Sequence, residues 1–87
     1  MTKNKIAFNL YGFIRVEMKQ HNNGKWKVSL TNKTTGRINE VARSINDEET
    51  IMLCHYLIAQ ANMPRTTDNA KNLNKTLKNI IKHYRNI

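Results

Sequence analysis

Residues 6 to 18, IAFNLYGFIRVEM, alternate strictly: Ile6, Phe8, Leu10, Ile14, Val16 and Met18 are apolar, with Gly12 in the same series, while the odd positions are mixed. Side chains in a strand project to opposite faces with period two, so this pattern hides its apolar set only as β-structure. The odd face carries Tyr11, Phe13, Arg15, Glu17 and Lys19. Two aromatics among a mostly basic set, on a face turned to water, suit a sheet-borne surface for a polyanion whose bases stack on the rings. The competing reading is that the last helix, or a second copy, covers the two rings.

HNNGK and then WKVSLTN follow, with Trp26, Val28 and Leu30 alternating with Lys27, Ser29 and Thr31. Asn-Gly between alternating runs marks a hairpin. A two-residue loop at Asn23-Gly24 sets Met18 opposite Ser29 and mixes the faces. A three-residue loop, Asn22-Asn23-Gly24 with left-handed glycine, sets Met18 opposite Val28 and Val16 opposite Leu30. The second register is expected, because a slip of one residue turns the apolar set to solvent. It also places Lys19 opposite Lys27, an unfavourable pair unless an anion screens it.

KTTG at 33 to 36 is a further turn and RINEVAR a third strand, although neither of its alternations is clean. Asn46 with Glu49 three residues later is a capping-box start, and Asp47, Glu48 and Glu49 lie where the helix dipole favours negative charge. Neighbours on a helix fan outward, so this trio reads as structural. The helix runs apolar through IMLCHYLIAQANM and stops before Pro64. After PRTTDN, Leu73, Leu77, Ile80, Ile81 and Tyr84 recur at intervals of three and four, the pattern of an amphipathic helix. At 100° per residue, Lys71, Lys75, Lys78, Lys82 and Arg85 fall within about 80° of one another, with no acid after Asp68. The expected fold is α+β: a three-stranded antiparallel sheet over 5–43, a core helix over 47–63 and a basic amphipathic helix over 68–86, in one domain of residues 1–87.

The chain has 87 residues, with 15 Lys plus Arg against 6 Asp plus Glu and a formal charge of +9. So large a surplus on so short a chain points to a polyanion, with nucleic acid ahead of an acidic protein or an anionic membrane. A single cysteine, Cys54, allows no internal disulfide and no cysteine-built zinc site. His21, His55 and His83 lie far apart, each without a ligand partner at metal spacing, and no nucleophile, phosphate-loop or paired-carboxylate motif is present. No catalytic residue, metal or cofactor is therefore expected. The start lacks an apolar run of signal-peptide length and no segment is long enough to span a membrane, so a soluble cytoplasmic protein is expected.

The nucleic-acid contacts are assigned to Tyr11, Phe13, Arg15, Lys19, Lys25 and Lys27 on the sheet and to Lys71, Lys75, Lys78, Lys82 and Arg85 on the last helix. Lysines outnumber arginines two to one. An ammonium is a point charge without the planar fork that reads bases, so binding is expected to be largely nonspecific in sequence. The exposed rings favour RNA or single strands over duplex DNA. A homodimer is expected as well, because residues 6 to 13 lack a local strand partner and Ala70, Leu73, Leu77, Ile80, Tyr84 and Ile87 keep an apolar heptad spacing. The alternatives are an interaction protein whose basic face docks on an acidic host protein, a duplex-DNA regulator using the sheet, and an RNA-cleaving toxin using His21 or His83.

Tyr11-Gly12, Arg15, Gly24-Lys25-Trp26, Gly36-Arg37 and Ile45-Asn46-Asp47-Glu48-Glu49, leading into an apolar helix, resemble the APETALA/ethylene-response DNA-binding domain over residues 11 to 59. The resemblance implies three strands and a helix, an outer sheet face that enters the major groove, Arg15 as a base reader and Trp26 packed inward. Glu17, Ser29 and Thr31 stand where that family presents base-reading residues. Asn, Lys and Ile make up 32 of the 87 residues, the mark of an AT-rich genome. In overall style the chain resembles small accessory proteins of T-even and other AT-rich phages, which implies sequestration of a host nuclease or toxin.

Overall fold

The structure, a computed structural model, describes residues 2–63 and 67–85, and the side chains of 3–63 and 71–85. Strands β1 (Thr2–Leu10), β2 (Ile14–His21), β3 (Trp26–Asn32) and β4 (Ile38–Ile45) form one antiparallel sheet in the order β1-β2-β3-β4. Helices α1 (Asp47–Ala61) and α2 (Thr67–Arg85) follow. The class is α+β as expected, but the sheet has four strands where three were expected. The alternating stretch 6–18 is itself a hairpin.

The reason lies in the length of the turn. Leu10 pairs with Ile14, Phe8 with Val16 and Ile6 with Met18. The three residues between Leu10 and Ile14 are an odd number, so even positions face the same way on both strands and the alternation runs through the turn unbroken. Tyr11 (φ 55°) and Gly12 (φ 80°) both adopt positive φ, as hairpin turns of the I′ type require. Only Gly12 does so without steric cost, and it was the sole local sign of the turn.

The second hairpin has the expected register, with Met18 opposite Val28, Val16 opposite Leu30 and Lys19 opposite Lys27. Gly24 takes φ 83°, and His21 N–H donates to the Lys25 carbonyl at 2.9 Å. The third turn holds four residues, Lys33 to Gly36, closed by Asn32 N–H to the Arg37 carbonyl at 2.8 Å. An even number exchanges the faces, so Asn39 lies opposite inward Leu30 while Ile38, opposite Thr31, faces out. Two register shifts then bring Ala42 opposite Val28 and Ile45 opposite Trp26, with Ser44 at φ 58°. These bulges explain why neither alternation in β4 is clean.

Both helices cover the inner sheet face. Val16, Met18, Val28, Ile45, Leu53, Leu57 and Leu77 are wholly shielded from solvent. The helix-start reading of Asn46 agrees with the geometry: Glu49 N–H donates to Asn46 Oδ1 at 2.8 Å and Asn46 N–H to Glu49 Oε1 at 3.0 Å. The core helix ends at Ala61, with Asn62 N–H returned to the Ala59 carbonyl at 3.2 Å.

Both reasons for expecting a homodimer are thereby altered. Residues 6 to 10 pair with β2 inside the chain, and Leu73 and Leu77 of the heptad are buried beneath α2. Ala70 and Ile87 lie outside the residues whose side chains are described. Among the described residues, no helix is long and apolar enough to cross a membrane.

Tyr11 is 8% exposed and belongs to the core, and its hydroxyl donates to Gln60 Oε1 on α1 at 2.6 Å. Burial first, and then the neighbouring Tyr56, raises its pKa above the ordinary 10.0. Replacement by Ala is expected to destabilise the fold by about 3 kcal/mol through the cavity it leaves, and replacement by Phe by about 1 kcal/mol through the lost hydrogen bond. Urea melts followed by circular dichroism check both values. A Tyr11→Ala protein that melts like the parent would show the ring to be solvent-facing.

Candidate nucleic-acid interface

Two basic surfaces emerge from the fold, and they differ in what surrounds each cation. The outer sheet face carries Lys5, Arg15, Lys19, Lys27 and Arg43, and each pairs with one of two carboxylates. Glu17 lies 3.0 Å from Arg15 Nε, 3.3 Å from Lys5 Nζ and 3.7 Å from Lys19 Nζ. Glu40 lies 3.6 Å from Lys27 Nζ and 2.8 Å from Arg43 Nη2. The Lys19–Lys27 opposition, which suggested an external anion, thus has an internal one on each side. Hydrogen bonding from Arg15, with Lys5 and Lys19 nearby, holds the Glu17 carboxyl below its ordinary 4.5, and Arg43 does the same for Glu40.

The aromatics are not on that face. Tyr11 is buried, and Phe13 packs against the core from the β1–β2 turn. Trp26 is inward, as the resemblance implied, and its Nε1–H donates to Asp47 Oδ1 at 2.7 Å. None of the six aromatic residues is exposed. The sheet therefore offers no stacking platform, because the turn at Tyr11-Gly12 carries both expected rings off the strand and round to the helix side. Arg15, the base reader implied by the resemblance, donates from Nε to Glu17. Lys25 is exposed at the head of the second hairpin, beside Lys27, Arg43 and His21.

The second surface is α2. Leu73, Leu77 and Ile81 are buried, while Lys71, Lys75, Lys78 and Lys82 are exposed. At 1.5 Å per residue the four lysines extend over about 16 Å of helix. None forms an ion pair with a carboxylate among the described residues. Arg85, the fifth member of the expected stripe, differs: its guanidinium bonds to Glu49, with Nη2 to Oε1 at 3.4 Å.

Neighbouring Tyr84 donates its hydroxyl to Glu48, so the acidic trio of α1 is fully engaged. Asp47 accepts from β3, and Glu48 and Glu49 accept from the end of α2, each from a different side chain. Among the described residues, no group of three His, Cys, Asp or Glu side chains is placed to hold a metal ion.

These contacts fix how α2 is rolled about its axis. Its tyrosine flank meets α1, and its lysine flank meets β4, the edge strand. Lys78, Lys82 and Arg85 overhang Val41, Ala42 and Ile81 in a groove of about 350 Å³. Further along the same edge, Lys71 and Arg37 line a cleft of about 450 Å³. Arg37, not among the expected contacts, joins the stripe only through the topology: it ends the turn before β4 and shares a cleft with Lys71 and Asn74 of the first half of α2. Its neighbours in sequence give no hint of that.

Glu49 is 3% exposed. Burial by itself raises its pKa, but the Arg85 guanidinium and the Asn46 N–H outweigh it, and the carboxyl lies below its ordinary 4.5. A depressed folded-state pKa stabilises above the unfolded value and loses that stabilisation as pH falls through the folded value. Thermal melts should therefore shift downward on acidification from about pH 5 to pH 3, and Glu49→Gln should make that acid limb shallower. An unchanged acid limb in the variant would show that the Arg85 contact contributes nothing to folding.

No family model, no curated protein and no solved structure matches this chain, so its function has to come from its own residues.

Proposed function

We propose that this protein binds nucleic acid through the phosphate backbone, along the edge formed by α2 and β4. The observation that carries the reading is the unequal distribution of carboxylates. Glu17 and Glu40 each pair with cations of the sheet, two carboxylates among five, and the α1 trio holds Trp26, Tyr84 and Arg85, while the four α2 lysines have no described carboxylate beside them. Like charges at i, i+3 and i+4 destabilise a helix by a few tenths of a kcal/mol per pair unless an anion lies across them. A phosphate backbone supplies such an anion, and release of its counterions favours binding.

The proposed binding surface accordingly narrows from the sheet face and last helix together to the helix edge, with Lys71, Lys75, Lys78, Lys82 and Arg37 as the phosphate contacts. Four of those five are ammonium groups, which supports recognition that is largely independent of sequence. The two rings that favoured RNA or single strands on the sheet face lie on the helix side instead, Tyr11 buried and Phe13 half-buried.

Fluorescence anisotropy of a labelled oligonucleotide against salt tests the assignment. Five phosphate contacts to a single strand give a slope of log K against log salt of about −3.5. Changing Lys71, Lys75, Lys78 and Lys82 together to Gln should reduce the slope to about −0.7, whereas Lys19→Gln with Lys27→Gln should leave it near the parent value. The reverse result would return the site to the sheet. Absence of binding to both RNA and DNA at low salt would reject nucleic acid and leave an acidic protein as the partner.

A further inference from the structure

At one end of the sheet, beneath the first half of α2, the inner face changes chemistry. Ile14 and Leu30 are apolar, but their partners across the strands are Asn32 and Asn39. Parity places both carboxamides on the face that elsewhere is core. Asn74 of α2 joins them from above, between buried Leu73 and Leu77. Its Oδ1 is out of contact with solvent and accepts no hydrogen bond from the described residues. Asn32 Oδ1 accepts from Thr34 N–H at 2.9 Å and Thr35 N–H at 3.2 Å, which fixes that side chain and leaves its amide nitrogen to donate. The three carboxamides line the cleft of about 450 Å³ that has Arg37 and Lys71 at its rim, and among the described residues no carboxylate lines it.

We propose that this cleft is the subsite for a single unpaired nucleotide, adenine before the other bases. The inference rests on the nucleic-acid reading above and adds to it the part of the ligand that is recognised. The volume suits one nucleotide, since small-molecule sites begin at about 300 Å³. A bare anion engages only Arg37 and Lys71 and makes no use of the Asn32 amide nitrogen or the exposed Asn39 carboxamide, while an apolar ligand uses neither the cations nor those groups. A nucleotide meets each requirement. Its base lies on Ile14 and Leu30, its N–H edge reaches the carboxamides, and its phosphate lies between the two cations. Adenine comes first because a carboxamide bonds N6–H and N7 of that base together. A base inside a duplex cannot enter, so the subsite selects single strands. Lys71 belongs to both the cleft rim and the helix stripe, so a strand bound along α2 delivers one nucleotide to this end.

Nitrogen–proton NMR spectra of the full chain, titrated with 5′-AMP and separately with inorganic phosphate at equal concentration, test this. AMP should move the side-chain amide signals of Asn74 and Asn39, and phosphate should not. Asn74→Leu should fold with an equal or higher melting temperature, because it removes a buried acceptor that no described residue satisfies, and should lose the AMP response at Asn39. That variant, and Asn39→Ala as a second one on an exposed strand position, should bind an oligoadenylate about tenfold more weakly with the salt slope unchanged. Equal shifts from phosphate would reduce the cleft to an anion site and overturn the proposal, as would AMP shifts that avoid the carboxamides. Variants that bind the oligomer like the parent, with its slope intact, would remove the subsite and leave the phosphate reading standing. AMP shifts at Asn74 in a protein that binds no oligomer would uphold the subsite and remove that reading.

Discussion

A strand buries one side, and the number of residues in each turn decides which side of the next strand joins it. Everything else in this fold depends on that constraint. Two turns of three residues keep the even positions of β1, β2 and β3 on one face, and there Leu10, Ile14, Val16, Met18, Val28 and Leu30 meet the helices. A four-residue turn then exchanges the faces, and two bulges in β4 bring Val41 and Ile45 back into the core. The exchange also turns Asn39 inward, beside Leu30. A cleft with a carboxamide floor at the end of an apolar face is thus a product of turn length.

Acidic side chains do the rest of the positioning. Six acids stand against fifteen cations, and the five whose side chains are described each hold a named partner. Asp47 binds the Trp26 indole, which fastens the start of α1 to β3. Glu48 and Glu49 take Tyr84 and Arg85, which fasten the end of α2 to the start of α1. With that end fixed, the roll of α2 is fixed too, and its lysine flank faces the β4 edge. Glu17 and Glu40 place a carboxylate beside each of five cations on the outer sheet face. The four lysines of α2 have no described carboxylate beside them.

Much of this was legible before folding. The register of the second hairpin followed from requiring Met18 and Val16 to meet apolar partners, and the capping box at Asn46 from side-chain chemistry within one turn. Both are local, so sequence spacing alone decides them. The hairpin hidden in residues 6–18 was not legible, because an odd turn preserves the alternation and Tyr11 is a poor advertisement for positive φ. Mistaking it for one strand placed Tyr11 and Phe13 on the wrong side. Among the site residues, the α2 lysines follow from helical period, but Asn32, Asn39 and Asn74 lie on three separate elements and Arg37 in the turn before β4, and they meet only in space.

The sequence by itself determined that the chain is α+β, that its even face in β1 to β3 is the core, that the acidic trio begins a helix and that five cations share one side of the last helix. Periodicity and near-neighbour chemistry suffice for these, since each involves residues a few positions apart. Only the tertiary structure decided which cations keep their charge uncompensated. That depends on which side chains are brought within a few ångströms across strands and helices, and pairs such as Lys27 with Glu40 or Arg85 with Glu49 are set by register and helix docking. Screening acts over distance in space, and distance along the chain carries no information about it.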